Sequence, residues 1–344
     1  DCLFGTGLKR PLATAAVNRL GELAHAALVS VACDLPSGID TDNGAELSSV
    51  PRFDLTVAFG SLKPAHRLMP AMAHCGRVVL ADIGIEASSQ WHELGRPFLP
   101  GPHPGAHKYS RGMVAVVPGA MPGAAALAAT AAARTGAGYV RLDTSDPIAN
   151  VPAAVVQGTA GDLSDDRIGT ILIGPGLGRR GGRLFRKSAG GLLRKALKSG
   201  RPMVIDGDAL RLVNPDQCAG AILTPHEGEF VALFGRLEGS KAERALAAAR
   251  RSDAVIVYKG PDTLVASPDG RLGFAPPAPA WLATAGTGDV LAGMIAALRA
   301  QGQEAFHASC AAVWLHGRAA EIAGPGLIAD DLIDAIPQAL ALCR

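Results

Sequence analysis

At 344 residues the chain has room for two domains of ordinary size, each with a core of its own. Thirty-three basic residues against 31 acidic ones leave a formal charge of +2 and no basic stripe, which argues against nucleic acid as a partner. Apolar runs such as 123–133 fall short of the ~20 residues that a membrane helix needs, so no membrane partner is expected. Six cysteines with no CxxC pair read as reduced thiols of a cytoplasmic protein, not as a disulfide frame or a zinc site.

The chain opens on a glycine-rich loop, DCLFGTG, of the kind that normally follows a buried strand, so it is expected to begin inside a domain. A helix is predicted over 11–27, with Pro11 near its start. Residues 28–33 (LVSVAC) read as a buried strand running straight into DLPSGID, and 54–59 and 77–82 as two more strands. The proline of SLKPAHRL blocks an unbroken helix between them. Apolar strands alternating with helices predict a parallel sheet covered on both faces. From 85 to 106 the hydrophobic period disappears among four prolines and three glycines. The domains are therefore placed at 1–95 and 107–344, with 96–106 as a Pro/Gly linker.

Beyond the linker a second alternation begins. Strands are predicted at 113–119, 139–142, 170–176, 202–206, 221–225 and 254–260, with a small-residue helix over 122–135. Helices follow at 289–300, 304–322 and 328–342. The fold class is α/β.

The strongest motif is ATAGTGDVLAGMIAAL, 283–298. Gly286 and Gly288 let backbone approach a ligand, and the N–H groups that open the next helix suit a phosphate. Asp289 at that helix start is expected to stay ionised and to take a proton from a hydroxyl; an ordinary helix cap is the bland reading. KGPDT (259–263) follows a strand, where open α/β sheets bind ligands, but also reads as a turn into a hairpin. In TPHEGEF (224–230), His226 and Glu229 stand three apart and face one way, or else His226 merely caps a helix. IGPGLG (173–178) and IDGDAL (205–210) end two further strands. Asp206 and Asp208 suit Mg²⁺ through water or helix capping, with capping favoured for Asp208. All of these motifs fall at one edge of the sheet, which argues for a single composite site.

Taken in order, HKxxRG, PGAA, TGAG, GPGLG, DGDAL, TPHEGE, KGxxT and GTGDVLAG resemble the nicotinamide nucleotide hydrate dehydratases from about residue 98 onward. That resemblance implies a ribokinase-like three-layer α/β/α domain that repairs hydrated NADH and NADPH with ADP or ATP and Mg²⁺. DCLFGTGLKRP (1–11) and VACDLPSGID (31–40) resemble the NAD(P)H-hydrate epimerases, which implies a partial Rossmann-like domain ahead of it. Carried over by position, Asp289 is the base. Lys259, Gly260, Pro261, Asp262, Thr263 and Gly288 bind the nucleotide. Ala125, Gly176, His226 and Asp289 meet the hydrated dinucleotide. On the epimerase side, Gly5, Thr6, Gly7, Leu8, Lys9, Arg10, Pro11 and Asp34 contact substrate, and Asp1 and Ser37 bind K⁺. Ala285 and Gly207 depart from the family's usual Gly and Ala, and the Gly- and Asn-rich loop upstream of the epimerase motifs is absent. Relatives commonly assemble, so a homo-oligomer is expected. Two rival readings are a small-molecule kinase of the same fold and a nucleotide-binding scaffold without turnover.

Overall fold

The computed structural model describes residues 1–158, 161–178 and 183–344. Its contacts divide the chain into two units, Asp1–Glu93 with Glu238–Arg244, and Leu94–Leu237 with Ala245–Arg344. In the first, helix α1 (Thr14–Ala26) precedes strands β1 (Val31–Cys33), β2 (Leu55–Phe59) and β3 (Arg77–Ala81), which pair in parallel in that order. A 3₁₀ turn over Pro64–Arg67 takes the proline at its first position, where a missing N–H costs nothing. Strand β4 (Trp91–Glu93) comes last. Leu20, Ala32, Leu35, Ile39, Val50 and Phe53 form a small core.

Two expectations for this unit are corrected. Strand β1 begins only at Val31, because Leu28 and Val29 stay exposed. The sheet is not covered on both faces: Phe59, Val79 and Leu80 are exposed. With α1 as its one long helix among the described residues, the unit has too little helical surface to sandwich three strands.

The second unit carries β5 (Met113–Val117), β6 (Tyr139–Asp143), β7 (Val155–Gly158), β8 (Ile168–Ile173), β9 (Met203–Ile205), β10 (Ile222–Leu223), β11 (Val255–Tyr258), β12 (Leu264–Ala266) and β13 (Leu272–Phe274). They lie in the order β13-β12-β11-β10-β9-β8-β5-β6-β7. Strands β7 through β11 are parallel, and β12–β13 is an antiparallel hairpin on β11. The remaining helices are α2 (Pro122–Arg134), α3 (Arg183–Lys198), α4 (Glu227–Phe234), α5 (Lys241–Ser252), α6 (Thr287–Ala300), α7 (Ala305–Ala323) and α8 (Ala329–Ala341). Every residue of β5 is buried, as in a sheet with helices on both faces.

Chain order reverses between β5 and β8. From β5 the chain moves out to β6 and β7, then returns to β8 on the other side and continues to β11. Ligand crevices open at the carboxyl ends of strands flanking such a reversal. Helices α2 and α6 pack tightly because small residues meet there: a Cβ on Gly293 would stand 2.2 Å from the Ala128 carbonyl oxygen. No helix among the described residues is long and apolar enough to cross a membrane.

Candidate active site

Three successive strand ends are fastened by one carboxylate. Asp206, buried just after β9, accepts a hydrogen bond from the Thr224 hydroxyl at 2.5 Å and another from the Lys259 ammonium at 2.7 Å, both on Oδ1. Thr224 and Lys259 directly follow β10 and β11. Burial alone would lower the Lys259 pKa, but the charges of Asp206 and Glu229 and the Asp206 hydrogen bond outweigh it and raise the pKa. A charged Lys259 is thereby kept in the site. Lys259→Met would leave the Asp206 carboxylate buried without its cation, at a cost of about 3–5 kcal/mol, to be read by chemical denaturation.

Helix α6 begins beside this clamp. Gly286, its N-cap, has φ 91°, a left-handed conformation that glycine takes without strain. A Cβ there would lie 2.7 Å from Leu127 Cδ1 and 2.9 Å from Ala329 Cβ. No side chain among the described residues caps the helix, so its first N–H groups are open to an anion. Gly288 lies close to the clamp: a Cβ on it would be 3.4 Å from Lys259 Nζ. The Thr287 hydroxyl reaches the carbonyls of Leu282 at 2.9 Å and Thr284 at 3.0 Å, fixing the approach to the helix.

Asp289 stands in the first turn and does not cap it. Its carboxyl is pushed up to about 7, chiefly by burial and next by the charge of Asp206; Lys259 opposes, and Glu229 and Asp208 add to the rise. The expectation of a permanently ionised Asp289 is corrected accordingly. The helix dipole favours the anion by about 1 kcal/mol, and burial among three acids exceeds that. A group titrating near neutrality is poised to accept a proton.

The other motifs surround this centre. Gly178 N donates to Asp208 Oδ2 at 3.0 Å, and Met121 N to Gly176 O at 2.9 Å, so the GPGLG loop touches both the end of β9 and the start of α2. Neither Asp206 nor Asp208 caps the 3₁₀ helix that follows β9, contrary to the capping favoured for Asp208. Ala125, on α2, is fully buried in the core. His226 does cap α4: its Nδ1 accepts from Gly228 N at 2.9 Å, while Glu229 Oε2 accepts from His226 N at 3.0 Å. With Nδ1 accepting, the ring proton of a neutral His226 is on Nε2, 3.4 Å from Glu229 Oε1. KGPDT is indeed a turn into the β12–β13 hairpin. The Thr263 hydroxyl accepts from Gly260 N at 3.1 Å and donates to Gly260 O at 2.7 Å, and Asp262 is buried. The sequence placed Thr224 within TPHEGEF but gave it no part in the site, although a hydroxyl directly after a buried strand was a usable signal. It also passed over Tyr258, whose ring stacks on Phe230 at 4.1 Å and whose hydroxyl donates to Glu227, seating α4 on β11.

In the first unit, Asp1 and Ser37 meet. The Ser37 hydroxyl donates to Asp1 Oδ1 at 2.7 Å, and Ser37 N donates to Asp1 Oδ2 at 2.7 Å. Residues 5–11 form an exposed loop apart from the half-buried Leu8, and Lys9 is held by Asp40 and Asp42. Asp34 has φ 64°, pairs with Lys63, and has its carbonyl bonded by His66 Nε2 at 2.6 Å.

Residues 114–338 match the family model of NAD(P)H-hydrate dehydratase, about two thirds of the chain. The chain belongs to the NAD(P)H-hydrate dehydratase family. Residues 1–65 match the model of the YjeF-related protein N-terminus. Among curated proteins, the bifunctional NAD(P)H-hydrate repair enzyme Nnr of Salinibacter ruber is 34% identical, over 99% of this chain and 71% of its own length. Its namesake in Mycobacterium tuberculosis is 35% identical over 88% of this chain, which spans 65% of that relative. Among solved structures, the ADP/ATP-dependent NAD(P)H-hydrate dehydratase of Bacillus subtilis, co-crystallised with ATP and Mg²⁺, is 30% identical with a TM-score of 0.63. That match covers 73% of this chain and all of the other. The family's ribokinase-like α/β fold, expected from the motifs, is the fold of the second unit.

Proposed function

We propose that the second unit restores reduced nicotinamide from hydrated NADH or NADPH by phosphorylating the ring hydroxyl, with Asp289 as the base. The observation that carries this reading is a carboxyl titrating at about 7 in the first turn of a helix with open amides, beside a buried Lys259. The hydroxyl oxygen bonds to the terminal phosphorus of ADP or ATP, the bond to the leaving nucleotide breaks, and the hydroxyl proton passes to Asp289. The ring C–O bond then breaks with phosphate as leaving group, an adjacent C–H gives up its proton, and the ring double bond returns. Lys259 and the open amides of α6 face the negative charge that develops in the first step. The loop Lys259–Thr263 and Gly288 hold the nucleotide. Gly176, His226 and the α2 turn bearing Ala125 serve the dinucleotide.

The acids present suit Mg²⁺. No cluster of three metal-binding side chains is closed among the described residues, yet Asp206, Asp208 and Glu229 all bear electrostatically on Asp289. Mg²⁺ is usually held by one or two carboxylates, with substrate phosphates and water completing its shell. Asp206 and Glu229 would hold it there, where it would neutralise phosphate charge.

The first unit reads as the epimerase partner, with residues 5–11 and Asp34 toward the substrate. Asp1 and Ser37, with the Phe4 carbonyl 3.3 Å from the Ser37 hydroxyl, gather the oxygen donors that K⁺ prefers.

The test is an absorbance assay in the reduced-nicotinamide band with hydrated NADH, Mg²⁺ and either ADP or ATP. Recovery of absorbance with release of inorganic phosphate is expected, and the effective nucleotide names the donor. A stable phosphorylated alcohol in place of free phosphate would turn the assignment to a small-molecule kinase. Nucleotide binding without turnover would turn it to a scaffold.

A further inference from the structure

Helix α7 sends one imidazole to the start of α6. His316 Nε2 lies 2.9 Å from the carbonyl oxygen of Thr287, the first residue of α6 and two positions before Asp289. A carbonyl only accepts, so Nε2 carries the ring proton in this contact. The strap leading into α6 lies along the same stretch of α7: a Cβ on Gly317 would meet Ala278 Cβ at 3.4 Å. The first turn is thus held from three directions. Gly286 is wedged against Leu127 and Ala329, the Thr287 hydroxyl is tied to the strap, and the Thr287 carbonyl is tied to α7.

We propose that His316 is a positioning residue of the dehydratase reaction, whose Nε2–H pins the Thr287 carbonyl and so fixes Asp289 and the open amides of α6 relative to the clamp at Asp206 and Lys259. The inference rests on the reading of Asp289 as the base. A residue serving only to fill space between α6 and α7 needs no donor, and an aliphatic side chain would do so without desolvating an imidazole. Burial pushes His316 down to about 4, with Lys259 adding to the fall, so the ring stays neutral across the working range. It therefore brings a hydrogen bond to the helix start without a second buried cation. The charged groups bearing on Asp289 are Asp206 and Asp208 after β9, Glu229 on α4 and Lys259 after β11. The neighbouring Arg318 of α7 pairs with Glu321.

The first measurement uses the unaltered protein with ¹⁵N-labelled histidine. Long-range ¹H–¹⁵N spectra should show His316 as the neutral Nε2–H tautomer with no titration from pH 8 to about 5.5. An Nδ1–H tautomer, or a midpoint near the ordinary histidine value, overturns the proposal. The second measurement compares His316→Leu with His316→Gln, which keeps a donor at the same reach. His316→Leu should lower kcat by about 10- to 100-fold, as misplacement of a catalytic group does, with nucleotide KM changed less than about threefold. The acid limb of its kcat/KM profile should slide below 7 as water reaches Asp289, and His316→Gln should bring back both the limb and most of kcat. An unmoved limb and kcat in His316→Leu, whatever its melting temperature, overturns the proposal, as does a Gln variant that rescues neither. If His316→Leu does not fold, the spectra and the Gln variant still decide. Normal turnover in Asp289→Asn would instead remove the base assignment and leave the tautomer result standing.

Discussion

Asp289→Asn is expected to lower turnover by about 10³-fold or more while nucleotide affinity stays within a few-fold, as befits loss of a general base. Single-turnover kinetics with nucleotide binding measured in parallel would check both halves; a turnover near that of the unaltered protein would refute the role. The unaltered protein should lose about tenfold in kcat/KM for each pH unit below about 7, because only the ionised carboxylate accepts the proton. Stability supplies an independent reading. The folded chain holds this carboxyl at about 7 against an ordinary 3.8, so between those values it binds a proton that the unfolded chain has released. Stability from the protonated form is complete at the low end of that window and is lost as pH rises through it. Asn cannot ionise, so the variant should match the unaltered protein near pH 4 and exceed it near pH 8.

The second large effect concerns packing. Gly293→Ala should destabilise the protein by about 2–4 kcal/mol in chemical denaturation, although alanine is the better helix former by about 1 kcal/mol. A Cβ at 293 would meet the Ala128 carbonyl oxygen at 2.2 Å and its carbon at 2.9 Å, and α2 offers backbone there with no side chain to swing aside. The helices must part, and the turn bearing Asp289 moves with α6. Gly191→Ala on α3 is the control: among the described residues a Cβ there meets nothing within 4 Å, so it should be neutral or stabilising by up to about 1 kcal/mol. Equal effects at the two positions would show that the α2–α6 contact has slack.

Much of the fold was legible because several of the second unit's parallel strands, β5, β8 and β9 among them, are largely apolar runs closed by Pro, Gly or Asp. The run TILIGPG shares Thr170–Ile173 with the buried strand β8, which begins two residues earlier and ends before Gly174. The same cue misled at LVSVAC: apolar composition gives no sign that Leu28 and Val29 are exposed. Strand β7 (VVQG) and helix α5, rich in charge and alanine, carried too weak a hydrophobic pattern to be read. The location of Asp289 was visible in GTGD, but its titration was not. That depends on Asp206, Asp208, Glu229 and Lys259, which are brought near it only by the ends of β9 and β11 and the start of α4. The clamp of Asp206, Thr224 and Lys259 was likewise hidden, since its members are 18 and 53 positions apart in sequence.

Helix α6 is buried without a break from Val290 to Leu298. An element enclosed on this scale opens only when its whole unit does, whereas an exposed stretch at a strand end, such as Gly260 and Pro261 after β11, can adjust locally. Motion in the site is therefore divided between a still centre and restless margins. The base rides on the end of the enclosed helix, and the adjustments that admit and release ligands fall to the loops at the strand ends.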